Sequence, residues 1–176
     1  MMHLRGQYLV ALIFAVAVAM SGYAWWSAYQ RGRLSLATWG SEAALQIRYA
    51  DRVELWQLAP PGTVEKNPNT LTIEGQLYAI TKKSDISQVP GLVHARHALV
   101  EDTSFVWQPS AGGEGEPRWQ FALHFTDSEH TSTIVFDTEL GQIRLLDSER
   151  SAKLQPELIG VFAERSRRWA NGGVMP

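Results

Sequence analysis

From Tyr8 to Trp26 the chain runs nineteen residues without a charged side chain. No other feature limits the fold as strongly. A helix rises about 1.5 Å per residue, so roughly 20 apolar residues cross a hydrocarbon layer about 30 Å thick. Arg5 precedes the segment, and Arg31 and Arg33 follow it. Tyr23, Trp25, Trp26 and Tyr29 gather at its C-terminal end, where amphipathic rings sit in a membrane–water interface. These four are the expected interface residues of a retained single-pass transmembrane helix. A cleaved signal peptide is the competing reading, because Ala17-Val18-Ala19 has the small-x-small pattern of a cleavage site. Against it, the apolar run continues past that point into the aromatic cluster.

The segment holds no Asp, Glu, Lys, Arg or His. Ionisable groups inside a membrane mark proton paths, ion paths and tetrapyrrole ligands, so this helix is expected to hold position. Charge on the two flanks is nearly balanced, which leaves the positive-inside rule little to act on. The expected location is a bacterial-type inner membrane with the following domain on the periplasmic side.

Charge divides the chain unevenly. Three of the sixteen basic residues and none of the eighteen acidic ones lie in 1–33, so the remainder carries a net charge of −5. That excludes a nucleic-acid binder working through bulk electrostatics. The chain has no cysteine, which removes disulfides, thiolate–metal sites and thiol nucleophiles. Two parts are expected: a tail, anchor and juxtamembrane segment over 1–36, and an extrinsic domain over 37–176.

Within the domain, Ser41 to Ala50 reads as a short helix capped by Ser41. Arg52 to Leu58 reads as a strand. Leu71 to Thr81 reads as a second strand, with Gly75 marking a bulge. Leu92, Ala95 and Leu99, with Val93 and Val100, give helical spacing over 91–101. Residues 110–117 are a glycine-rich polar loop. Trp119, Phe121, Leu123 and Phe125 alternate with polar partners, so this strand has one buried and one wetter face. Thr131–Asp137 and Gly141–Leu146 form a further hairpin. Pro156 opens a last helix to about Trp169, with Leu158, Val161, Phe162 and Arg165 on one face. The expected fold class is α+β: a mostly antiparallel five-stranded sheet packed by about three helices.

The search for chemistry is largely empty. His94 and His97, three apart on a helix, could share a metal with a third ligand such as His124 or Glu101, and an envelope hydrolase or metalloenzyme would use His94, His97 and His124. His124 and His130 with Asp127 and Glu129 could form an acid–base group, though this stretch also reads as a polar hairpin turn. No Gly-x-Ser-x-Gly and no phosphate-binding loop is present. No cofactor and no small-molecule substrate is expected.

Seven tryptophans in this length point either to core or to contacts. Trp39 and the cluster Arg165, Arg167, Arg168 and Trp169 are the candidate partner contacts. The expected function is therefore a non-catalytic accessory subunit. It would brace larger membrane protein subunits, with lipid as its other partner. An energy-converting complex, photosynthetic reaction centre–antenna or respiratory, is the expected setting. A free-standing anchored binding module or assembly factor is the alternative.

Overall fold

The structure is a computed structural model that describes residues 3–30, 33–62, 67–107, 116–139, 141–146, 148 and 150–171. The glycine-rich stretch 110–115 lies outside the described residues. Helix α1 spans His3–Gln30. Two short helices follow, α2 (Arg33–Trp39) and α3 (Ser41–Tyr49). Then come β1 (Arg52–Leu58), β2 (Thr70–Ile73), β3 (Gln76–Asp85) and α4 (Leu92–Ala98). A single 3₁₀ turn, Asp102–Ser104, leads into β4 (Phe105–Val106). The chain continues through β5 (Phe121–Thr126), β6 (Thr131–Asp137), β7 (Gln142–Leu145), β8 (Ser151–Leu154) and α5 (Pro156–Ala170).

The fold is α+β, as expected, but the sheet has eight antiparallel strands rather than five, in the order β2-β3-β1-β5-β6-β7-β8-β4. Five helices are described rather than an anchor plus three. Two of the added strands, β4 and β8, pair with one another through Phe105–Leu154 and Val106–Lys153. The third comes from splitting the stretch 71–81. Glu74 and Gly75 have φ of 51° and 80°, and Ile73 pairs with Gln76 across them. Two consecutive positive φ values make a tight hairpin turn, so Gly75 is a turn residue and not a bulge.

A bulge does occur one half-strand later. Gln57 pairs with Lys82 while Leu58 pairs with Ile80, which leaves Thr81 as the extra residue. It resets the alternation of β3. Tyr78 and Ile80 thereby face the same side as Trp56, and Leu77 and Ala79 do not enter the core. The β2–β3 hairpin covers part of the second face of the sheet. There Leu71, Ile73 and Tyr78 pack with Leu58, Trp119, Ala122 and Val135. Trp119 thus belongs to the face opposite Phe121, Leu123 and Phe125. The ion pair Arg144–Glu74, 2.5 Å, ties the hairpin tip to β7.

The first face carries the larger core. Val53, Leu55, Phe121, Leu123, Phe125, Ile134 and Phe136 meet side chains from all four domain helices. Helix α5 buries Phe162, Ser166, Trp169 and Ala170, a stripe at helical spacing, while Val161 stays 40% exposed. Helix α3 starts after Gly40 with no side-chain cap, so Ser41 does not have the expected role.

Candidate functional site

Between Tyr8 and Trp26, α1 is apolar on every side, and among the described residues this stretch is not buried. Its span Tyr8–Trp26 is long and apolar enough to cross a membrane, and none of that window is buried. Tyr23, Trp25 and Trp26 all project outward, with Trp25 72% exposed. The side chain of Tyr29 lies outside the described residues. Such a surface in water would forfeit the burial energy of twelve large side chains, each worth about 1.5–3 kcal/mol.

Only Arg31 and Gly32 separate α1 from α2. Helix α2 is fastened to the domain at both ends. At its start, the Asp102 carboxylate accepts the amide protons of Leu34 (3.2 Å) and Ser35 (2.7 Å), and the Ser35 hydroxyl as well. First-turn amides have no partner within their own helix, and an acidic group there completes them. At its end, the Arg150 guanidinium donates to the Thr38 carbonyl at 3.1 Å. Between these points Trp39 is 2% exposed. Its indole N–H donates to the Leu99 carbonyl at 2.9 Å, and its ring meets Phe105 edge-on at 5.8 Å. Trp107 in turn donates to the Asp102 carbonyl at 2.7 Å, which holds the capping residue in place.

Gly40, at φ 83°, turns the chain from α2 into α3. The far end of α3 is held by Arg96. Its Nε donates to the Ile47 carbonyl at 2.7 Å and its Nη2 to the Ala50 carbonyl at 3.0 Å. Burial pushes the pKa of this guanidinium down from its ordinary value, and nearby Asp51 opposes that shift. Ser35 and Trp39 are both buried, so α2 packs against the rest of the domain.

The structure distributes the other candidates as follows. Trp169 is 3% exposed and packs in the core, as Trp39 does. The Arg165 guanidinium donates to the Gly91 carbonyl at 3.0 Å. Arg168 pairs with Glu164, and Arg167 donates to the carbonyl of Ala163 in its own helix at 3.1 Å. Arg167 and Arg168 are the exposed members of the cluster.

The histidines do not converge. His97 on α4, a helix that packs on the first face of the sheet, pairs with Glu101. His124 lies on the opposite face, stacked on Trp56 at 4.2 Å with Nδ1 2.8 Å from the Thr133 hydroxyl. His94, His97 and His124 are therefore not brought together. His130 lies 3.2 Å from Glu42. Asp127 accepts the amide protons of Glu129 and His130, which hold its carboxyl below the usual carboxylate range. This is the chemistry of a tight turn. Among the described residues no three His, Asp or Glu side chains are grouped to hold a metal ion.

Sequence reasoning missed Asp102, Arg150 and Arg96. Each acts on backbone far away in the chain, and none carries a local pattern that announces it. No family model, curated protein or solved structure matches this chain.

Proposed function

We propose that this protein is a single-pass, non-catalytic accessory subunit that braces a larger membrane complex through its extrinsic domain. One observation carries the reading. A wholly exposed apolar helix is joined through two residues to a helix clamped into the domain core. A free-standing module gains little from such a short connection, because a flexible linker gives a tethered domain greater reach. A brace needs its domain held at a set distance from the membrane. The exposed Arg167 and Arg168 are the residues of the C-terminal cluster offered to a partner.

The reading includes a bacterial-type inner membrane with the domain on its periplasmic side. Protease added to intact spheroplasts should then digest the domain. Purification in mild detergent tests the function itself. Stoichiometric recovery with a large membrane complex supports it, and a lone monomer refutes it in favour of an anchored module.

A further inference from the structure

An open groove of about 650 Å³ lies between α2, α3 and α4, edged by Leu36, Leu45, Arg48, Tyr49, His97 and Val100. Its apolar rim is left uncovered, with Leu36 47%, Leu45 58% and Tyr49 66% exposed. Single exposed apolar residues are ordinary, whereas a contiguous set marks an interaction surface. The position of the groove along the chain bears on what covers it. Helix α1 continues four residues past Trp26, which is about 6 Å and close to the thickness of one headgroup layer. From Gln30 to Arg33 the chain reaches at most roughly 11 Å. Leu36 lies one helical turn further on, about 5 Å. The groove is thus tethered within roughly 22 Å of the point where α1 leaves the hydrocarbon, which keeps the membrane surface within its reach.

We infer that this groove docks on the phospholipid surface of the leaflet from which α1 emerges. The inference rests on α1 being a membrane anchor. Leu36 and Leu45 enter the boundary between headgroups and acyl chains, as the apolar face of an interfacial helix does. Tyr49 adds the amphipathic ring favoured at that depth. The Arg48 guanidinium lies 5.6 Å from the Tyr49 ring centroid and meets lipid phosphate. The one acidic group at the rim, Glu101, is paired with His97.

The absence of native cysteine makes the test direct. Full-length chains carrying Leu45→Cys, Val18→Cys or Thr72→Cys are labelled with an environment-sensitive fluorophore. They are reconstituted in vesicles of phosphatidylethanolamine and phosphatidylglycerol that contain a spin-labelled lipid quencher. All three positions are exposed, so the fold tolerates the labels. The labels at 18 and 45 should be quenched, while the label at 72, on the hairpin covering the other face, should not. Adding Arg48→Glu should reduce quenching at 45 and leave quenching at 18 unchanged. Quenching at 18 with none at 45 overturns the docking and leaves the anchor standing. No quenching at 18 overturns both. Equal quenching at 45 and 72 shows contact without a docking face and also overturns the inference.

Discussion

Replacing Asp102 by alanine should loosen the joint between α1 and the domain without touching the core. In the structure this carboxylate accepts from two first-turn amides and one hydroxyl of α2. Loss of a helix N-cap costs about 0.5–2 kcal/mol. Loss of the negative charge at the helix start accounts for part of that, about 0.3–1 kcal/mol at an exposed site. A net cost of about 1–2 kcal/mol corresponds to a roughly 3–6 °C drop in Tm for a domain of this size. The local signature is sharper than the global one. The amides of Leu34 and Ser35 have no partner in their own helix, so any slow hydrogen exchange they show comes from Asp102. A change of about 1–2 kcal/mol in local opening is a roughly five- to thirtyfold faster exchange. Hydrogen-exchange mass spectrometry on peptides covering 34–40 reads it directly. Asp102→Asn keeps an acceptor oxygen without the charge and should fall between wild type and Asp102→Ala. Equal exchange at 34 and 35 in Asp102→Ala and wild type would refute the clamp.

Other expectations concern the domain. Arg96→Met should cost about 1–3 kcal/mol in chemical unfolding, because the Ile47 and Ala50 carbonyls lose their donor in a part-buried site. Gly75→Ala and Gly141→Ala both force a positive φ on a side chain, worth about 1–2 kcal/mol. A Cβ at Gly75 meets nothing within 4 Å, whereas at Gly141 it falls 2.3 Å from Ile159 Cδ1. Gly141→Ala should therefore melt lower, and the reverse order would contradict the packing of α5 over that turn. The Ser87 hydroxyl and amide, with a lesser contribution from Arg52, hold the Asp85 carboxyl below the usual carboxylate range. Its folded pKa is below its unfolded one, so its contribution is present above the unfolded value of about 3.9 and is lost as pH falls through the folded value. Asp85→Asn should flatten the fall in stability below about pH 4, as measured by denaturant midpoints across pH.

The parts of this fold that were legible in the sequence are those whose cause is local. A charge-free run of nineteen residues announces itself by composition. Arg52–Leu58 and Thr131–Asp137 carry β-branched and aromatic residues over a full strand length, and the structure returns the same limits. The strands β4 and β8 are two and four residues long, and they are strands because each finds the other. Glu74-Gly75 lacks the Asn or Asp that usually marks a two-residue hairpin, so the turn read as an interruption. The attachment of α2 to the domain was hidden for a related reason. Asp102 and Ser35 are 67 positions apart, and Arg150 and Thr38 are 112 apart. Such pairings follow from the way the sheet brings distant segments together, and no periodicity records them.

The eight-stranded sheet is open, and it ends on β2 and β4, its four- and two-residue strands. An unpaired edge offers a template of amide and carbonyl groups to any passing extended chain, and its hold scales with its length. Here those templates are nearly absent, and the long strands β5 and β6 are enclosed on both sides. Many copies of the domain can therefore crowd together without zippering into a continuous sheet. A neighbour that binds must instead recognise side chains, which favours a chosen partner over an indiscriminate one.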